Sequence, residues 1–122
     1  MKFARVTFLV AGIYGLLVLT PLYFLEGQIG RQTPPPITHV EFFYGFAGVA
    51  LAWQVVFLVI ARDPARYRPL MLPSILEKIS YGMALLVLHQ QQRIATSSFA
   101  IGMVDWIWAA LFVISFARTQ SA

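Results

Sequence analysis

The sequence predicts an all-α integral membrane protein, a single four-helix bundle with its N- and C-termini in the cytoplasm. Three observations carry this. The 122 residues are 59% apolar and only 11% charged, with a mean hydropathy of +0.73. Soluble domains hold roughly 45–50% apolar and about 25% charged residues, so this chain cannot cover its own surface for water. The apolar residues also fall into four runs near the roughly 20 residues that a membrane helix needs, which leaves no room for a soluble domain beside them. Finally, the basic residues gather at alternate run ends.

The first run predicts a helix over about 3–25. No charge follows Arg5 until Glu26. The run is too long for a signal-peptide core and lacks an Ala-x-Ala-type cleavage site near its end, so a retained membrane helix is expected. Glu26 to Thr38 is rich in Gly and Pro and contains Pro34-Pro35-Pro36. Residues without amide donors cannot continue a helix, and an extended connector is expected. The second helix is predicted over 39–61. The basic loop Arg62 to Pro69 follows, with Asp63-Pro64 suited to cap and open one helical turn at the membrane surface. Pro73-Ser74 opens the third helix, 74–91, which fades into His89-Gln90-Gln91-Gln92-Arg93. Thr96-Ser97-Ser98 introduces the fourth, 98–117, which Arg118 stops. Short connections between four helices predict one bundle.

Charge sets the orientation. Lys2, Arg5, Arg62, Arg66, Arg68 and Arg118 fall on one side, Arg31 and Arg93 on the other, and Lys78 lies within a span. The positive-inside rule then puts both termini in the cytoplasm. Net charge is +4, but without a basic face this is no nucleic-acid signature. Cysteine is absent, which excludes thiolate catalysis, iron–sulfur ligation and covalent c-type haem.

Lipid-facing and buried faces are equally apolar in a membrane, so small residues mark close helix approach instead. Glu41, Gly45, Gly48 and Ala52 share one side of the second helix; Ser98, Gly102, Asp105 and Ala109 share one side of the fourth. Both stripes are expected to face the interior, with Ala11 and Gly15 doing the same on the first helix. Tyr14-Gly15, Tyr44-Gly45 and Tyr81-Gly82 form a faint internal echo, too slight to define a repeat.

Ionisable groups inside a span cost about 2.5–3.5 kcal/mol at its centre on insertion scales, so each needs an explanation. Thr38 with Glu41 and Ser74 with Glu77 have capping-box spacing, which would make both acids helix caps. Lys78 is expected to extend its stem to the headgroups rather than pair inside. Gln54 lies at the depth of Glu77, and a structural hydrogen bond between them is expected. Asp105 is different. It lies about seven residues, roughly 10 Å, into its helix, with no Ser or Thr at capping distance. An acid there must be protonated, paired or hydrated.

Counting depth from the outer side brings Asp105, His89, Tyr44, Glu41 and Trp106 together as candidates for an outward-opening ligand pocket. A His beside a sheltered acid has the means to shuttle protons. No metal site is expected: His39 and Glu41 point about 200° apart on a helix, and no Glu-x-x-His pair occurs. Haem between His39 and His89 is disfavoured by the interfacial position of His39. No cofactor is assigned. Trp53, Trp106 and Trp108 read as lipid-facing or core aromatics, and no Ser–His–Asp array or phosphate-binding glycine loop is present.

With Tyr44-Gly45-Phe46 and Gly48 opening the second helix and Arg62-Asp63-Pro64 closing it, the chain resembles the DoxX-like group of small bacterial four-helix membrane proteins. The resemblance covers the whole chain in layout and implies a bacterial inner membrane; most such proteins have no assigned activity. Length and span count also resemble the small multidrug-resistance transporters. Those rely on a Glu inside the first helix, and here that helix has no acid before Glu26.

Two functional expectations follow. One is non-enzymatic: binding of a lipid, quinone or isoprenoid amphiphile, or service as an accessory subunit of a larger membrane complex or a homo-oligomer. The other is an enzyme or proton-coupled carrier for a hydrophobic substrate, using Asp105 and His89. Membrane lipid is the expected partner in either case, and nucleic acid is not.

Overall fold

The computed structural model describes residues 2–120. Four helical spans of 23 residues each, Lys2–Phe24, Val40–Arg62, Arg68–Gln90 and Thr96–Arg118, are long and apolar enough to cross a membrane. They pack side by side in one bundle, where α1 (Lys2–Leu19) lies mainly on α3 (Val40–Arg62) and α4 (Met71–Gln90) mainly on α6 (Val104–Arg118).

Local chemistry sets the element ends. Pro21 has no amide to extend α1, and the chain tightens into a 3-10 turn over Thr20–Phe24. The next stretch departs from the expected connector, because Glu26–Gln32 forms a short helix, α2. Glu26 in its first turn and Arg31 in its last both suit the helix dipole, and the irregular connector shrinks to residues 33–39 around the three prolines. Gly30 is buried where a Cβ would lie 3.0 Å from the Pro36 Cα, so the proline segment folds back onto α2.

Neither capping box forms. His39 caps α3 through its carbonyl, which receives the amides of Phe42 and Phe43, and no side chain caps that end. The third span begins earlier than 74, with a 3-10 turn at Arg68–Leu70 running into α4 at Met71. Ser74 is therefore inside the helix, where its hydroxyl donates to the Leu70 carbonyl at 2.7 Å. Pro73 is tolerated because first-turn amides have no intrahelical acceptor. The expected single turn after Asp63 is present: its carbonyl accepts the Tyr67 amide, and its Oδ1 accepts the Arg66 amide at 3.4 Å. In the fourth span a break at Met103 separates α5 (Thr96–Gly102) from α6.

Three phenyl rings form the centre of the core. Phe8 stacks on Phe112 at 4.3 Å between centroids, and Phe57 meets both edge-on. Ala4, Ala11, Ile60, Ala61 and Met71 enclose them. The arginine-rich end is held by Arg68, whose Nε and Nη2 donate to the Phe116 carbonyl at 3.2 and 3.1 Å. Its guanidinium also covers the Phe116 ring at 3.7 Å, while Arg118 lies over Phe3.

The small-residue stripes divide. Ala11 and Gly15 on α1, and Gly102 and Ala109 on the fourth span, are buried. Most of the α3 stripe is turned the other way: Glu41, Gly45 and Ala52 are exposed, and a Cβ on Gly45 would meet nothing within 4 Å. Gly48 alone is half-buried, and a Cβ there would lie 3.4 Å from the Tyr23 hydroxyl. The buried face of α3 is instead Ala47, Gln54, Phe57, Ile60 and Ala61. Phe57 and Ile60 take part in the aromatic core, and their packing outweighs the pull of small residues.

Candidate functional site

Halfway along the third span, Lys78 brings two acids together. It lies about 15 Å from Arg68 by helical rise, and only 7% of its surface is exposed. Its ammonium is 3.5 Å from Glu77 Oε1 and 3.7 Å from Asp105 Oδ1. It also faces the Phe57 ring at 5.3 Å from the centroid, within the range of a cation–π attraction. The cluster thus joins α4 to α6 and rests on the aromatic core.

Glycines permit this approach. A Cβ on Gly82 would lie 2.6 Å from Trp106 Nε1, and one on Gly102 would collide with the Leu85 side chain. The two helices close on each other at 82–106 and 85–102, which places Asp105 opposite the turn carrying Lys78.

The expectation that Lys78 reaches for headgroups is therefore overturned. Its stem begins mid-span, and its ammonium lies among carboxylates of its own helix and of the helix across the interface. Asp105 does lie sheltered, with 15% of its side chain exposed, and it is paired.

The other residues read as a pocket lie in separate places. Tyr44 donates its hydroxyl to Glu26 Oε1 at 3.0 Å and neighbours Tyr23 and Phe43. His89 stacks on Phe99 with centroids 4.0 Å apart, about 9 Å along the span from Asp105 by helical rise. Glu41 is exposed. Trp106 packs across Gly82, its indole N–H buried without an acceptor.

Gln54 makes no hydrogen bond to Glu77. Its Nε2 donates to the Ala50 carbonyl at 2.8 Å, and its amide oxygen sits where a side chain on Gly15 would be. Gly12 and Gly15 draw α3 onto α1, so Gln54 faces α1 rather than α4. Sequence reasoning missed Lys78 and Glu26. For Lys78 a signal existed: Ser74, Lys78, Gly82 and Leu85 share one helical face, and all four are buried.

Two surface hollows lie away from the cluster. One, about 470 Å³, runs along the exposed side of α4 from Ser80 to Gln91 and Arg93. The second, about 340 Å³, is at the end of α3. Neither is lined by Glu77, Lys78 or Asp105. Among the described residues no three His, Asp or Glu side chains converge as metal ligands.

Chemically, the cluster is a helix-to-helix latch with an excess of acid. One ammonium is shared by two carboxylates, and Glu77 Oε1, although 3.5 Å from it, is buried and makes no hydrogen bond. Compared with known proteins, the chain matches no family model, no curated protein and no solved structure.

Proposed function

We propose that the protein is a non-enzymatic accessory subunit of a larger membrane assembly, or of a homo-oligomer. The carrying observation is the Lys78–Asp105 pair, whose ionisable groups engage each other inside the bundle. The residues expected to line an outward amphiphile pocket are divided among three places, so binding of a quinone, isoprenoid or lipid among them has less support. The outer surface is left to act. On α3 the face at Glu41, Gly45 and Ala52 is open, and small residues on an open face let a second helix approach closely. The basic-residue asymmetry puts both termini in the cytoplasm, and the likeness in layout to DoxX-like proteins supports a bacterial inner membrane.

Native mass spectrometry and cross-linking in lipid nanodiscs test this. A stoichiometric partner or second copy is expected, lost in Gly45→Leu. A strictly solitary chain, unchanged by that substitution, would overturn the proposal.

A second reading, a proton-coupled carrier or enzyme for a hydrophobic substrate, is favoured by the surplus carboxylate. Its proton would pass among Glu77, Asp105 and Lys78, with His89 too distant to take part directly. Asp105→Asn keeps the shape and removes the titration. Unaltered transport or growth in that variant would end this reading.

A further inference from the structure

We propose that the hollow at the end of α3 binds the phosphate headgroup of an anionic glycerophospholipid, with an acyl chain laid along the exposed face of that helix. This goes beyond the accessory role: the headgroup site lies at the opposite end of α3, and the two surfaces meet only at Ala52.

The hollow, about 340 Å³, is lined by Val59, Arg62, Asp63, Arg66 and Tyr67. The arginines of the loop after α3 and of the C-terminal end are not equivalent. Arg68 is engaged by the Phe116 carbonyl and ring, and Arg118 covers Phe3. Among the described residues, the Arg62 guanidinium has no hydrogen bond, ion pair or ring partner, and that of Arg66 only faces the Tyr67 ring at 5.5 Å. Asp63 places a carboxylate in the same hollow. Its Oδ1 accepts the Arg66 backbone amide, and among the described residues it pairs with neither guanidinium.

Two cations against one anion give the hollow a net positive charge. The planar guanidinium fork matches phosphate oxygens, and the hollow is preformed, since the turn from Asp63 to Tyr67 is closed by backbone hydrogen bonds.

What distinguishes a lipid from free phosphate is the surface beside the arginines. Val59 is 36% exposed and Val55 51% exposed, and with exposed Ala52 they follow Arg62 at helical spacing up one side of α3. From Val59 to Ala52 this strip runs about 10 Å, most of the roughly 15 Å half-thickness of a hydrocarbon core. Its short side chains offer a low-relief track for a chain whose headgroup sits between Arg62 and Arg66.

The test is native mass spectrometry of the full chain ejected from nanodiscs of phosphatidylglycerol and phosphatidylcholine in equal proportion. The wild type should retain phosphatidylglycerol preferentially, with about fivefold expected per arginine contact. Arg62→Gln with Arg66→Gln should return retention to the bulk ratio. Arg31→Gln, at the far end, should leave it unchanged, and all variants should keep the wild-type melting midpoint because the altered side chains are exposed. Undiminished enrichment in the double variant, or equal loss in Arg31→Gln, would overturn the site. Abolition of the enrichment by excess inorganic phosphate would overturn the lipid in favour of a free anion.

Discussion

Lys78 and Asp105 face each other across the α4–α6 interface, Nζ to Oδ1 at 3.7 Å, with 9% and 15% of their side chains exposed. Glu77 Oε1 lies 3.5 Å from the same ammonium, so both sheltered acids share the Lys78 cation. An unpaired buried charge costs far more than an ion pair returns, and breaking such a pair typically destabilises by about 3–5 kcal/mol. Lys78→Met, which strands both Glu77 and Asp105, is expected to lower stability by an amount of that order, and Asp105→Leu, which leaves Lys78 beside Glu77, by less. The double apolar variant should be more stable than Lys78→Met alone. Thermal unfolding in detergent, arranged as a double-mutant cycle, checks this.

Gly82→Leu should separate α4 from α6. Even its Cβ would lie 2.6 Å from the Trp106 indole, a rigid ring rather than the end of a flexible chain, so overpacking of about 1–3 kcal/mol is expected. Gly45→Leu, in open space, should leave the isolated chain as stable as before. Melting midpoints of the two variants, compared side by side, decide it.

Phe112→Ala removes the ring stacked on Phe8. In a water-soluble core the cost would be about 3–5 kcal/mol. Here the transfer part largely vanishes, since lipid is as apolar as the interior, and the cavity part stays. A loss clearly below that range is expected, and still larger than that of Phe42→Ala on the exposed side. Equal losses would show that the aromatic cluster does not hold the bundle.

Topology can be read chemically because the chain contains no cysteine. Single cysteines placed at Gln32 and at Gln120 should label from opposite sides of an intact membrane with an impermeant maleimide. Labelling of both from one side would refute the arrangement of termini.

The sequence made the spans legible because apolar length is a strong signal. It also disclosed the inward faces of α1 and the fourth span, where Ala11, Gly15, Gly102 and Ala109 are buried as expected. It misplaced the α3 stripe. Small residues show where a helix permits close approach, not which neighbour takes it, and Phe57 and Ile60 already claimed the interior. The short helix α2 was masked by composition, since Gly27 and Gly30 dilute a pattern that its two terminal charges support. Asp105 was recognised as sheltered while Lys78 was not. Depth alone flags a short acid, but a long flexible base can always be imagined reaching out, and only the packing at Gly82 and Gly102 brings its partner within range.

Exchange of the two charges is the most direct measurement. Lys78→Asp and Asp105→Lys should each abolish a monodisperse, thermally cooperative protein, and the combined exchange should restore a melting transition near that of the wild type. A combined variant no better than either single one would contradict the pairing on which the account depends.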